Sequence, residues 1–420
     1  MRILLTLALA AFFVGPAPAQ TGAATALETA PVFERIGQIV EELSEITGFE
    51  AKRPIPHDVI KREDLKDFLE KRVREEIKPE EIRIEELLLR KFGFIPRDFD
   101  LKKTMIDLYT EQAAAFYDFH KKRLFLLESD DALMQEAALS HELAHALADQ
   151  HYSLDKFLDG AGNNDDGAMA RMAVMEGQAT WLMSELAVRR MGQSLVDSPM
   201  MVEMMVRSVG GSADQFPVFD QAPLYLRESL IFPYTSGLRF QQEVVKRHGK
   251  RGFSEIFRNP PATTQQILHP ETYFEDEKRP PPKLPRLRNG RRYAKSAEGS
   301  MGEFDFAVLL RQYAAEEDVR RIAPSWRTAK YRLLEHKKDD HAVLIHASTW
   351  ENEEVARDFF ERYRTILEGK WERFSVERET ADEIAGEGDD GLFVVRIDGS
   401  AVYAVEGMRS PDELGRRPKR

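Results

Sequence analysis

His141-Glu142-Leu143-Ala144-His145 lies inside a segment, Asp131 to about Tyr152, whose small and apolar residues recur at helical spacing. Ala137, Ala138, Leu139, Leu143, Ala144 and Leu147 suit a helix buried in a core. On such a helix two histidines four residues apart project from one face about a turn apart. Their ring nitrogens can then reach a single Zn2+ at roughly 2.0–2.1 Å. Glu142, beside the first histidine, can reach a water on the metal without binding the metal itself, and can take the water's proton as it attacks a carbonyl.

A third ligand has to come from outside the motif, and the absence of cysteine limits it to His, Asp or Glu. His151 follows His145 by six residues. That is the spacing of the metzincins, in which a glycine between the two histidines ends the helix, but the residue at that place is Ala148, so the helix is expected to continue and carry His151 away. Asp149 continues the four-residue stripe about 6 Å of helix rise beyond His145. It suits accepting a hydrogen bond from a ligand imidazole better than ligation. Glu176, in Glu176-Gly177-Gln178-Ala179, sits on a second predicted helix, Ala168 to about Met191, and its small neighbours permit close helix contact.

His-Glu-x-x-His followed some thirty residues later by Glu-Gly-x-Ala resembles the gluzincins of the peptidase MA group, over roughly residues 105–275. The resemblance implies a thermolysin-like zincin core, a small sheet with an active-site helix and a glutamate helix. It implies one catalytic Zn2+ held by His141, His145 and Glu176, with Glu142 as general base. It also implies an oxyanion stabiliser downstream of the glutamate helix, for which Tyr234 and His269 are the candidates. Two departures shape the reading. The position four after the ligand glutamate, acidic in thermolysin-like members, is Thr180. The strand Ala113–Phe119 before the helix lacks the Gly-x-Met-Glu-Asn sequence with which aminopeptidase relatives hold a free amine, so an endopeptidase is favoured. That strand is still a candidate edge along which an extended peptide pairs. The alternative is a non-catalytic, zinc-stabilised binding protein on the same scaffold.

The rest of the chain fits an exported enzyme. Met1-Arg2, the apolar run Ile3–Val14 and Ala17-Pro18-Ala19 have the layout of a signal peptide cleaved near Ala19, giving a periplasmic or extracellular protein. No later stretch is long enough for a membrane helix, so stable membrane insertion is not expected. A net charge of −12 argues against nucleic acid as the main partner, and the gluzincin resemblance implies a peptide or protein substrate.

Apolar residues at helical spacing between Pro31 and about Arg90 predict helices there, forming either a propeptide or an N-terminal layer. Ala113–Leu127 reads as a hairpin, and further helices are expected at 197–208, 222–230, 234–248 and 262–269. The Met-rich stretch 168–205 is expected to pack the core, and Tyr117 and Tyr152 to be core or rim residues. Lys278–Pro285 is a proline-rich connector, beyond which strands at 331–334 and 342–346, a helix at 352–367 and a hairpin at 392–405 are expected. The fold class is therefore α+β, mainly helical, with a zincin core and a small C-terminal α+β domain. The expected organisation is signal peptide 1–19, helical region 20–104, catalytic domain 105–275, connector 276–299, α+β domain 300–410 and basic tail 411–420.

Overall fold

The computed structural model describes residues 33–129, 131–210, 216–275, 280–288 and 290–415. The expected signal peptide and the last five residues of the basic tail lie outside them. The chain is α+β and mainly helical. In order it forms α1 (Ile36–Thr47), β1 (His57–Ile60), α2 (Arg62–Glu76), α3 (Pro79–Phe92), α4 (Leu101–Gln112), β2 (Ala115–Asp118) and β3 (Arg123–Leu127). Then come α5 (Ala132–Tyr152), α6 (Leu154–Asp159), α7 (Asp165–Arg189), α8 (Pro199–Gly210), α9 (Pro217–Gln221), α10 (Leu224–His248), α11 (Gly252–Arg258), α12 (Thr264–Leu268) and α13 (Pro270–Glu275). The C-terminal part adds β4 (Tyr293–Gly299), α14 (Glu303–Tyr313), α15 (Glu316–Ile322), β5 (Trp326–His336), β6 (Ala342–Trp350), α16 (Glu353–Lys370), β7 (Phe374–Glu379), β8 (Glu383–Gly388), β9 (Gly391–Asp398) and β10 (Ala401–Met408).

The predicted hairpin is β2 and β3, and it acquires a third strand that sequence pattern hides. Residues 57–60, expected within a helical stretch, pair with β3 in parallel from His57↔Leu124 to Ile60↔Leu127, giving the order β1-β3-β2. Four residues carry too little periodicity to declare a strand, and pairing with β3 decides their conformation. β2 is left as an edge. The bond from Leu127 N–H to the Ala114 carbonyl sets the parity of the ladder, with Ala115↔Leu126 and Tyr117↔Leu124 opposite each other. The backbone groups of Ala115 and Tyr117 therefore point off the free edge rather than toward β3.

α5 begins at an Asp131 cap that accepts from Met134 N–H at 3.0 Å, and it runs without a break through Ala148 to Tyr152. α7 is capped by Asn164 and is buried along nearly its whole length. The segments expected as two helices around Pro233 form one, α10, with the proline inside it. Pro233 forfeits one helical bond, and burial of both halves against α7 outweighs that loss.

α7 and α10 cross backbone to backbone. A Cβ on Gly177 would lie 2.2 Å from the Gly237 carbonyl carbon, and one on Gly237 would lie 2.2 Å from the Ala173 oxygen. Only glycine at both places permits this approach, which brings the stretch around Tyr234 to the stretch around Glu176.

α1 packs along the back of α5. Arg35 and Arg190 both pair with Glu136, the Gln150 side chain accepts from Lys52 N–H, and His151 Nε2 meets the Glu50 carbonyl at 2.8 Å. Those α5 residues stand on sides turned away from His141 and His145. Residues 33–56 thus form a layer behind the motif, not a plug over it.

The C-terminal sheet is antiparallel with order β4-β5-β6-β10-β9-β8-β7, and α16 buries Phe359, Tyr363, Ile366 and Leu367 against it. Its other face carries a smaller cluster, Val343, Ile345, Val394, Val405 and Met408, covered by Leu284 and Leu287 of the connector and by Leu414. Two expected boundaries move. β4 brings residues 293–299 into the sheet from what was assigned to the connector, and α4 runs across the boundary set at residue 104. The Met-rich stretch also divides: Met169, Met172 and Met175 are buried, whereas Met191, Met200 and Met204 are exposed. Among the described residues no helix is long and apolar enough to cross a membrane.

Candidate metal centre

α5 and α7 bring His141, His145 and Glu176 together. His141 Nε2 lies 3.1 Å from Glu176 Oε2, His145 Nε2 lies 3.3 Å from the same oxygen, and the two Nε2 atoms are 3.0 Å apart. Three ligands about 2.0–2.1 Å from one tetrahedral ion stand about 3.3 Å from one another, so the spacing and the donor set both fit. All three side chains are at most 2% exposed. Burial, helped by the His145 charge, lowers the His141 pKa to about 4 against the pull of Glu176, which keeps the imidazole neutral. Burial alone would raise Glu176, but the two imidazoles outweigh it and hold the carboxyl at about 2. A neutral His141 beside an ionised Glu176 is the kind of protonation state that binding a cation requires.

Glu142 is fully buried beside them, and neither of its oxygens meets a donor at full hydrogen-bonding geometry. Burial and the nearby Glu176 charge push its pKa well up, opposed by the backbone N–H of Tyr117 on the free edge of β2. Tyr234 stacks on His141 with ring centroids 6.0 Å apart. Burial first, then the Glu176 charge, raises its pKa and keeps the phenol a donor. Phe119 packs its edge against His145 at 6.2 Å. Tyr109, from α4, is a further phenol at the site whose pKa is raised by burial and by Glu176. Sequence reasoning missed Tyr109 and Phe119, since nothing in their local pattern marks them.

The remaining candidates go elsewhere. His269 Nε2 pairs with Glu303 Oε1 at 2.8 Å, a bond that raises its pKa and ties the α12–α13 corner to α14. His269 is the C-terminal cap of α12, and Pro270 opens α13. The neighbouring Thr264 binds Asp166, about 15 Å of helix rise from Glu176. Asp149 was expected to hold a ligand imidazole. Its carboxylate instead accepts from the Tyr117 hydroxyl, Lys122 Nζ and Leu154 N–H. His151 faces Glu50 and Phe49 behind the helix. The Thr180 hydroxyl is buried and makes no hydrogen bond, so it supports neither imidazole.

Residues 291–416 match the model of a family described as a domain of unknown function, DUF8575. No curated protein and no solved structure matches the chain. The matched region does not contain the triad, but it grips the start of the helix that carries Glu176. Ser300 Oγ accepts from Asp166 N–H and donates to Asn164, while Tyr331 donates to Asp165 at 2.6 Å.

Proposed function

We propose that the chain is a zinc-dependent peptidase of the gluzincin kind, with a thermolysin-like core, exported and acting on peptide bonds within extended segments. The observation that carries this reading is the convergence of His141, His145 and Glu176 beside a buried carboxylate, Glu142, that has no structural partner to serve. His141, His145 and Glu176 would hold the ion. Zinc there would supply Lewis acidity, polarising the scissile carbonyl, acidifying a water and offsetting the carboxylate charge. An extended substrate pairs with the Ala115 backbone groups and the Tyr117 carbonyl on the edge of β2 and so lies across Glu142, to which the Tyr117 N–H is turned. Glu142 takes the proton of the attacking water and passes it to the leaving amine. Tyr234 donates its hydroxyl hydrogen to the oxygen on which charge develops.

The near-complete burial of Glu142 favours a second reading, a zinc-stabilised binding protein whose cleft admits no substrate. Digestion of unfolded casein with and without a chelator separates the two. Chelator-sensitive cleavage, abolished in Glu142→Gln at unchanged zinc content, supports the peptidase. Zinc retention without cleavage by the parent supports the alternative.

A further inference from the structure

Among the described residues, two that are not glycine adopt left-handed backbone angles, Lys122 (φ 54°) and Ser153 (φ 49°). Such conformations are disfavoured and persist where surrounding contacts impose them. Both flank Asp149. Lys122 occupies the β2–β3 turn and places Nζ 2.9 Å from Asp149 Oδ1. Ser153 ends α5 by donating its N–H to the Asp149 carbonyl at 3.0 Å, and the next amide, Leu154 N–H, donates to Asp149 Oδ1 at 2.8 Å. The second oxygen, Oδ2, takes the Tyr117 hydroxyl at 2.9 Å. One wholly buried carboxylate therefore joins the C-terminal end of the motif helix to both the edge strand and its turn. The far side of the same hairpin is held by Asp118, which accepts from His120 and Lys121 N–H and pairs with Arg72 of α2 at 3.0 Å.

We propose that Asp149 is a positioning residue that sets edge strand β2 at a fixed separation from α5, and so aligns the bound peptide backbone, rather than one that supports the metal ligands. Because Tyr117 supplies the hydroxyl that Asp149 holds and also a backbone group on the free edge facing Glu142, the bracket acts directly on the place where substrate would pair. The substrate part of this inference rests on the proposed function, whereas the bracket itself does not.

The test compares the full-length parent with Tyr117→Phe, Lys122→Met and Asp149→Asn. Three quantities are read: hydrogen exchange of amides 115–127, zinc affinity by chelator competition, and KM and kcat on a peptide substrate. The expected result is hairpin exchange faster by about tenfold, as for loss of a buried bond to a charged group. Zinc affinity stays within about threefold of the parent, well short of the loss that follows when a ligand imidazole is unsupported. KM rises more than kcat falls, and Lys122→Arg restores it. Tyr117→Phe removes a single hydroxyl and keeps the test open should Asp149→Asn fold poorly. Zinc affinity lowered by about 10–100-fold with hairpin exchange unchanged would overturn the proposal. If the parent neither binds zinc nor cleaves peptides, the peptidase reading fails while the exchange result still decides the bracket.

Discussion

A carboxylate enclosed as completely as Glu142 is expensive unless something compensates it, and the surrounding protein offers it little beyond the Tyr117 amide. Glutamine in its place keeps the shape and removes the base. Glu142→Gln is expected to bind one zinc per chain and to fold as the parent does, with hydrolysis slowed on the order of 10²–10⁴-fold. Metal analysis alongside single-turnover kinetics checks this, and a variant that cleaves at the parent rate would remove Glu142 from the mechanism. Tyr234 should behave differently. Tyr234→Phe keeps the ring stacked on His141, so zinc content should hold while kcat falls about 10²–10³-fold and KM changes little. An equal loss in zinc content would show that the phenol serves the ligands instead.

At the scale of elements, the site depends on how closely α7 and α10 approach. Gly177→Ala or Gly237→Ala inserts a methyl where backbone atoms already stand 2.2 Å away, so the helices must separate. The expected cost is about 1–3 kcal/mol or more in urea unfolding, together with weakened zinc affinity, since Glu176 neighbours Gly177. Stability and affinity both unchanged would mean that the crossing does not set the site.

This dependence also explains what the sequence could disclose. The motif helix, its continuation through Ala148 and the glutamate helix were legible, because i, i+4 spacing and an Asp131 cap are local signals. Gly177 and Ala179 beside Glu176 marked a close helix contact but could not name α10 as the partner, and Gly237 went unread. β1 was illegible because four residues take their conformation from β3. The roles of Asp149 and His269 were illegible for the same reason: a buried carboxylate or a ring before proline shows what it can bond, not which neighbour the fold will offer.

Over the whole molecule, the C-terminal region and the helical part meet across buried acids. Asp166 is raised to about 8, by burial above all, with Asp305 and Glu303 adding to it and Thr264 opposing. Asp305 is raised to about 6, again mainly by burial. Both carboxyls are thus held protonated relative to the unfolded chain, whose Asp residues titrate near about 3.9. Their contribution to stability is fully present below about pH 4 and is lost as pH rises through 6 and then 8. The melting temperature should accordingly fall between pH 5 and about 9, and Asp166→Asn should flatten the alkaline part of that fall. A flat profile in the parent would contradict this account of the junction.

Whether His141, His145 and Glu176 hold one zinc ion is decided by anomalous diffraction at the zinc edge from crystals of the full chain. A single strong peak is expected within about 2.0–2.2 Å of both Nε2 atoms and a Glu176 oxygen, beside Glu142. No peak at that position in zinc-supplemented crystals, or a peak bonded instead to His151 or His269, would contradict this ligand set.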